Sequence, residues 1–252
     1  VIGAGPTGIA AGRELLRSGF TDFTIFDAQS AVGGTWQQHS YPGLACDVWA
    51  HSYTFTYAPN PDWSANFVGQ AEIQAYLARC ASAFGLQPYL RLNTRITSAH
   101  FVNGREWKLC TSAGEAFYFD IVISAMGNQH TPLYPDVDGI ASFTGDSWHS
   151  TCWNHDVDLR GKRVVVVGSA ASAVQIVPEI APLCDQLTVL QRSANWIMPR
   201  HRKPYGRLQR WCFGRVPYLI ALLRTWQGML MSQVQHAVTI GHPRMGQFER
   251  MV

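Results

Sequence analysis

One pattern of residues occurs twice in this chain of 252 residues, and the repetition restricts the folds open to it. Residues 1–10 and 164–174 each begin with β-branched residues, pass through a loop of small residues, and end in a stretch compatible with a helix. A further apolar run follows each of them, at residues 23–27 and 187–190. Strand, tight loop, helix and strand make up a βαβ unit. The sequence therefore predicts an α/β protein with two Rossmann-like dinucleotide-binding domains.

The first loop has the spacing G-x-G-x-x-G at Gly3, Gly5 and Gly8, with Pro6 directly after the second glycine. In a dinucleotide site the first glycine allows a tight turn, the second lets the backbone approach the pyrophosphate, and the third permits close packing of helix on strand. Asp27 ends the next strand, where a carboxylate can accept hydrogen bonds from ribose hydroxyls. These residues predict a dinucleotide site, and their spacing alone does not distinguish FAD from NAD.

The second loop has alanine where the middle glycine would stand. Its residues are Gly168, Ser169, Ala170, Ala171, Ser172 and Ala173. The strand that follows ends without an acid, and Arg192 and Ser193 stand there instead. An arginine can hydrogen-bond a 2′-phosphate bidentately, whereas an acid would repel it. The second site is therefore predicted to prefer NADPH over NADH, the alternative being that Arg192 is an ordinary solvated arginine.

The charged residues are unevenly distributed. Residues 1–191 contain 10 Lys/Arg and 16 Asp/Glu, whereas residues 192–252 contain 10 Lys/Arg and one acid, Glu249. A basic region suggests a phosphate-bearing partner or an anionic surface, but no nucleic-acid motif accompanies it, so we expect no nucleic-acid partner. The apolar run at 216–223 is too short to span a bilayer. It fits a basic amphipathic helix on a membrane surface, or, as we prefer, a helical segment from about residue 200 that covers the second domain.

The cysteines, at positions 46, 80, 110, 152, 184 and 212, form no CxxC pair. Neither a redox dithiol nor a zinc ribbon is indicated, so we expect no metal. Unpaired thiols are typical of a reducing compartment, and we expect a cytoplasmic protein.

Between the two loops, the sequence predicts a helix at residues 73–83 and strands at 96–101 and 106–111. Residues 119–124 form a nearly continuous apolar run, as in a buried parallel strand, and the proline-rich residues 131–138 predict a loop. Only two strand residues precede the first loop, without an initiator methionine. We therefore expect that both ends of the chain are cut.

Two longer segments match a known family. Residues 33–47 read GGTWQQHSYPGLACD, and residues 143–153 read FTGDSWHSTCW, which fits the pattern FxGxxxHxxxW. With these motifs the chain resembles the class B flavoprotein monooxygenases from residue 1 to about residue 200. Trp153 favours the Baeyer–Villiger type, and the 4-hydroxyacetophenone monooxygenases are one group within it that the chain resembles. Asn154 stands where that family usually has Pro or Asp.

The resemblance implies roles for particular residues. His149, on the linker between the domains, would couple domain motion to catalysis, and Asp47 would pair with an arginine that has no convincing match before Val252. Ala45, Cys46 and Asp47 would also face the nicotinamide end of NADPH. The residues expected around FAD are Gly34, Thr35, Trp36, Asp47, Tyr53 and Ile96.

The resemblance also implies domains and an activity. Residues 1–142 would be the first part of an incomplete FAD domain, 143–160 the fingerprint linker, and 161–252 the NADPH domain with its helical insertion. The implied reaction inserts one oxygen atom of O₂ into a ketone through a C4a-peroxyflavin. A chain lacking the returning half of the FAD domain would bind FAD poorly or not at all.

Several alternatives stay open. A flavin-containing monooxygenase would oxygenate sulfides or amines instead, and a non-catalytic dinucleotide-binding protein would keep the loops but not need the linker motif. A flavin disulfide reductase would need a close cysteine pair, which this sequence lacks. The oligomeric state cannot be read from the sequence.

Overall fold

A computed structural model describes residues 1–195 and 197–237 of the chain. The fold is mixed α/β, and the contacts divide the chain into two compact units. The first unit comprises Val1–Tyr41 and Ile73–Asp158, and the second comprises Pro42–Glu72 and the chain from Leu159 onward. Each unit contains one of the two small-residue loops. The predicted boundaries at residues 142 and 160 stay a prediction.

The first glycine-rich loop leads into helix α1 (Pro6–Arg17), followed by strand β1 (Ile25–Phe26). Proline at the first helical position suits a helix start, because its missing N–H would have had no partner there. Strand β1 pairs in parallel with β2 (Leu90–Arg91), and Ile2 forms parallel bridges to Phe26 and to Ser124. Buried side chains such as Ile9 and Ile25 form the core beneath the loop.

The first unit also contains α2 (Thr35–Gln38) and an antiparallel sheet in the order β3 (Ile96–Val102), β4 (Glu106–Thr111) and β5 (Ala116–Phe119). The predicted strands at 96–101 and 106–111 are confirmed. Helix α3 (Gln70–Ala83) confirms the helix predicted at 73–83 and begins three residues earlier. Short 3₁₀ turns occur at Gln87–Tyr89, Ile140–Ser142 and Ser150–Cys152.

The buried parallel strand predicted at residues 119–124 is wrong in extent and in burial. Phe119 ends the antiparallel strand β5, the chain bends at Asp120, and only Ser124 makes the expected parallel bridge, to Ile2. Ile121 is 76% exposed. An apolar run is equally compatible with a strand that changes sheets midway, since its composition does not specify its partners.

The second unit contains the second βαβ segment. Strands β6 (Arg163–Val167) and β7 (Gln186–Leu190) pair in parallel, with helix α4 (Ala171–Ile180) between them in the chain. Two further helices follow, α5 (Arg207–Arg215) and α6 (Pro217–Ala237). They confirm a helical segment after residue 200, although α6 extends well beyond the apolar run at 216–223. Within the described part of the chain, no helix is both long and apolar enough to cross a bilayer.

Candidate dinucleotide sites

The first loop closes tightly on itself. Gly3 adopts φ +107°, and its amide donates to the carbonyl of Phe26 at 2.7 Å. A Cβ on Gly8 would overlap the carbonyl oxygen of Gly3, so helix α1 can approach the loop only with glycine there. The first helical hydrogen bond runs from the amide of Ile9 to the carbonyl of Gly5 at 3.0 Å. The amides that precede Ile9 point outward from the helix terminus, as an anionic pyrophosphate requires.

Asp27 holds the first loop from the end of β1. One carboxylate oxygen, Oδ2, accepts from the amide of Ala4 at 2.6 Å, and Oδ1 accepts from the amide of Gln29 at 2.8 Å. The sequence predicted a ribose acceptor here, and the structure adds that Asp27 also fixes the loop backbone. Because each carboxylate oxygen can accept more than one hydrogen bond, ribose hydroxyls can still donate to it.

The segment after Val32 lies against the same loop. The amide of Gly33 donates to the carbonyl of Ala4 at 3.0 Å, and a Cβ on Gly34 would lie 2.9 Å from Cα of Gly5. Gly34 precedes α2, in which Thr35 is half-buried and Trp36 is buried. The structure therefore places Gly34 against the first loop, with Thr35 and Trp36 directly after it, and the assignment of these three residues to FAD stays a prediction.

Ala45, Cys46 and Asp47 belong to the second unit, where the backbone of Ala45 lies on helix α4. Cys46 is buried, and that burial raises the pKa of its thiol to about 11. The thiol is therefore protonated at neutral pH and is a packing group. Asp47 is exposed, and Nη1 of Arg200 lies 3.5 Å from the carbonyl oxygen of the preceding residue. The guanidinium of Arg200 therefore lies at this turn. The sequence analysis did not predict a role for Arg200 there.

Tyr53 and Ile96 are two further residues that the resemblance placed around FAD. Tyr53 is half-buried in the second unit, in a turn closed by hydrogen bonds from its amide to the carbonyls of Trp49 and Ala50. Ile96 begins β3 in the first unit, opposite Thr111. Their assignment to FAD stays a prediction.

The second loop repeats the geometry of the first. Gly168 adopts φ +109°, and its amide donates to the carbonyl of Leu190 at 2.8 Å. Ala170 is the N-cap of α4, so Ala171, Ser172 and Ala173 form the first turn of that helix. No atom of the described residues lies within 4 Å of a Cβ placed on Gly168, so these residues leave space beside the loop.

Arg192 and Ser193 are exposed just beyond the end of β7. Two residues further on, Asn195 reaches back to the loop, and its Nδ2 donates to the carbonyl and hydroxyl oxygens of Ser169 at 2.6 and 2.9 Å. The sequence did not single out Asn195. Its position soon after the strand was the only sequence feature that could have indicated a contact with the second loop.

The fingerprint segment 143–153 is organised around two contacts. The ring of Phe143 lies where a Cβ on Gly145 would be, at 2.6 Å, which explains the glycine two residues after the phenylalanine. Trp148 and Trp153 pack edge to face, with centroids 5.6 Å apart. Both contacts lie within the segment, so the motif forms a compact local structure.

His149 caps the 3₁₀ turn that follows it. Its Nδ1 accepts from the amide of Thr151 at 3.2 Å and lies 2.8 Å from the Thr151 hydroxyl. The ring of His149 also packs edge to face with Tyr134, with centroids 5.7 Å apart. These are positioning contacts, and they hold the side chain in one orientation on the linker.

His39 was missed by sequence reasoning. It is buried, and its Nε2 lies 3.1 Å from the carbonyl oxygen of Gln129. Burial lowers the pKa of His39, and this effect outweighs the hydrogen bond to the Gln129 carbonyl, which raises it. The imidazole of His39 is therefore neutral at physiological pH.

A cavity of about 320 Å³ in the second unit is lined by residues of α5 and by one acid of the segment that precedes α3: Asp62, Arg207, Arg210, Trp211, Gly214 and Arg215. Part of the basic surplus predicted for residues 192–252 therefore lines this cavity. Among the residues that the structure describes, no cluster of His, Cys, Asp or Glu could hold a metal ion.

Comparison with known proteins agrees with this geometry. The model of the flavin-binding monooxygenase-like family matches residues 1–223. A Baeyer–Villiger monooxygenase of Streptomyces coelicolor is 42% identical over 238 residues, which cover 93% of this chain and 46% of that protein. Another from Pseudomonas aeruginosa is 40% identical over 239 residues, 94% of this chain and 45% of that protein. The chain thus spans about half the length of these relatives.

Solved structures show the same likeness. An oxidised steroid monooxygenase bound to NADP superposes with a TM-score of 0.73 at 37% identity, covering 83% of this chain and 41% of that one. The monooxygenase OTEMO in complex with FAD and NADP gives a TM-score of 0.77 at 31% identity, covering 94% of this chain and 44% of that one.

Proposed function

Since the chain belongs to the flavin-binding monooxygenase-like family, we propose that it is part of an FAD-dependent, NADPH-consuming Baeyer–Villiger monooxygenase. The reaction consumes a ketone, O₂, NADPH and a proton, and yields an ester or lactone, NADP⁺ and water. One oxygen atom enters the product between the carbonyl carbon and a neighbouring carbon, and NADPH provides the two electrons that reduce the other to water. The observation that carries the proposal is the presence of two dinucleotide loops in one chain with the motif FxGxxxHxxxW.

The first loop suits the pyrophosphate and ribose of FAD. Glycine at positions 8 and 34 allows close packing where a Cβ would come too near the backbone of Gly3 or Gly5, so the loop forms a tight cradle at the start of α1. Asp27 provides a carboxylate beside the cradle. FAD, when bound, supplies the redox and oxygen chemistry, whereas the protein binds it, orients it and excludes water.

The second loop suits NADPH. The terminus of α4 would bind the pyrophosphate through its backbone amides, and Arg192 with Ser193 would hold the 2′-phosphate. Asn195 braces this loop through Ser169. In this proposal residues 1–142 belong to the FAD domain, 143–160 to the linker and 161–252 to the NADPH domain.

Asp47 and His149 have separate roles in the proposed function. The exposed carboxylate of Asp47 would orient the nicotinamide end of NADPH and balance a neighbouring cation. His149, held by Thr151, would link movement of the two domains to turnover. Six free cysteines fit a reducing compartment, so a cytoplasmic location is part of the proposal.

Product analysis tests this function. The full-length, FAD-loaded protein to which this chain belongs is given NADPH and O₂ with a cyclic ketone, an aryl ketone or a thioether, and the oxygenated product is measured against NADPH consumed. We expect ester or lactone from at least one ketone, nearly one per NADPH. Sulfoxide formation with no reaction of any ketone would replace the Baeyer–Villiger assignment by sulfur oxygenation. Hydrogen peroxide as the only product would overturn both.

A further inference from the structure

One glutamine of helix α4 holds both backbone groups of a residue 130 positions away. The Nε2 of Gln175 donates to the carbonyl oxygen of Ala45 at 2.9 Å, and its Oε1 accepts from the amide of Ala45 at 3.2 Å. A single primary amide thereby forms a two-point contact with one peptide segment. Two such bonds define an orientation as well as a distance, which one bond does not.

The chain next to Ala45 also lies close to α4. Gly43 adopts φ +77°, and a Cβ there would lie 2.5 Å from the backbone carbonyl oxygen of Gln175 and 2.9 Å from Cγ of Glu179. Only glycine permits both this φ and this approach. The segment from Gly43 to Ala45 thus rests directly on the helix.

On its other side the same segment pairs with residues before α3. The amide of Cys46 donates to the carbonyl of Val68 at 3.0 Å, and the amide of Gln70 donates to the carbonyl of Leu44, also at 3.0 Å. The segment is therefore held between this pairing and α4. Asp47 follows immediately, so its backbone position depends on these contacts.

Gln175 lies one turn beyond Ala171, on the same side of α4, and Ala171 is the first residue of the helix. We propose that Gln175 is a positioning residue that ties the turn bearing Asp47 to the helix whose first turn binds the dinucleotide pyrophosphate. A shift of α4 on nucleotide binding would be passed to Asp47 through these two hydrogen bonds. This inference rests on the proposed function, because it assigns the nucleotide to α4 and a role to Asp47.

Three variants test the proposal in the FAD-loaded protein. Gln175→Leu keeps the size but removes both hydrogen bonds, and Gln175→Glu keeps the acceptor but sets a carboxylate against the Ala45 carbonyl. Gln186→Leu is the matched control, because Gln186 is exposed on β7. Hydrogen exchange at the Ala45 amide is measured with and without NADP⁺, together with NADP⁺ affinity, kcat and KM.

We expect exchange at Ala45 to be at least about tenfold faster in Gln175→Leu than in wild type, since hydrogen bonds that close the amide are lost. Added NADP⁺ slows exchange there in wild type and no longer does so in the variant. We expect kcat to fall about tenfold, the NADP⁺ dissociation constant to change less than about twofold, and Gln175→Glu to be intermediate. In an Asp47→Asn background, adding Gln175→Leu should lower kcat little further, since both changes would remove the same positioned group.

Unchanged exchange at Ala45 in Gln175→Leu would overturn the proposal. So would equal losses in NADP⁺ affinity and in kcat, because Gln175 would then act only by stabilising the nucleotide loop. Independent, additive effects of the Asp47 and Gln175 variants would also contradict it. If wild type fails to bind NADP⁺, the proposed function falls, while exchange without nucleotide still reports whether Gln175 holds Ala45.

Discussion

Asn195 binds Ser169 twice, through hydrogen bonds from Nδ2 to the carbonyl oxygen at 2.6 Å and to the hydroxyl oxygen at 2.9 Å. Ser169 lies in the second loop, directly after Gly168, whereas Asn195 follows strand β7. The chain after the strand is thereby tied to the loop. Arg192 lies in this tied segment, between the end of β7 and Asn195. The proposed 2′-phosphate site and the proposed pyrophosphate site are therefore linked by one side chain.

Replacing Asn195 with leucine removes both hydrogen bonds while keeping a similar size. We expect the dissociation constants of NADPH and NADH to rise by the same factor, about three- to tenfold, because the bonds hold a loop that both nucleotides would use. Fluorescence titration of each nucleotide measures this. A change in only one of the two constants would show that Asn195 reads the 2′-phosphate rather than bracing the loop.

Arg192→Ala is expected to act on one nucleotide only. Loss of a charge-assisted hydrogen bond to the 2′-phosphate should raise KM for NADPH at least about tenfold and leave KM for NADH nearly unchanged. Steady-state kinetics with both nucleotides provides the ratio. Arg202→Ala is the matched control, since Arg202 is exposed in the same unit, and an unchanged NADPH/NADH preference in Arg192→Ala would remove the assignment.

Asp27→Asn tests the first loop. Asparagine has one acceptor oxygen, so it cannot accept from the amides of both Ala4 and Gln29 as the two carboxylate oxygens do. We expect FAD to bind at least about tenfold more weakly to the apoprotein, because the loop loses a charge-assisted hydrogen bond. Flavin fluorescence during titration measures the affinity. The exposed Asp22 provides the control Asp22→Asn, and equal affinities in both variants would contradict the prediction.

Two glycine-to-alanine changes should have opposite effects on stability. A Cβ on Gly8 would overlap the Gly3 carbonyl, so Gly8→Ala should lower the free energy of unfolding by about 1–3 kcal/mol and reduce the FAD content. Gly228 lies in α6, and no atom of residues 1–195 or 197–237 lies within 4 Å of an added Cβ, so Gly228→Ala should stabilise the fold by up to about 1 kcal/mol. Urea unfolding compares the two. Wild-type FAD content in Gly8→Ala would disprove the tight approach.

His51 should make stability depend on pH. It is fully buried, and neither ring nitrogen has a hydrogen-bond partner among the described residues. The ring of Phe213 packs edge to face against it, with ring centroids 4.4 Å apart. Burial, and then the charge of Arg224, lower the pKa of His51 from 6.5 to about 4. As pH falls from 6.5 towards 4, the unfolded chain takes up a proton that the folded chain does not, so stability should fall by on the order of 3 kcal/mol.

His51→Phe should remove most of that loss, because phenylalanine takes up no proton in either state. The measurement is the free energy of unfolding in urea at pH 7 and at pH 4.5. His100→Phe, at an exposed position of β3, is the control and should keep the wild-type dependence on pH. The same loss of stability in His51→Phe as in wild type would show that other groups cause it.

Much of the architecture near each loop was readable from neighbouring residues. The glycine spacing predicted a tight turn at the first loop, and Gly3 has a positive φ there, a conformation that glycine adopts because it has no side chain. Alternating residues predicted β3 and β4 with nearly correct ends. The prediction of a buried parallel strand at residues 119–124 was wrong, because apolar composition does not specify which strand a segment pairs with. Here the pairing changes from one sheet to another at Asp120.

The sequence by itself therefore determined the local chemistry of this protein: two small-residue loops at helix starts, an acid after one βαβ unit and an arginine after the other. Steric limits and charge act between near neighbours, so they can be read along the chain. Only the tertiary structure decided that Gln175 hydrogen-bonds Ala45 and that Asn195 hydrogen-bonds Ser169. It also decided that His51 is buried. Those contacts depend on how distant segments pack, and no local pattern of residue types specifies that packing.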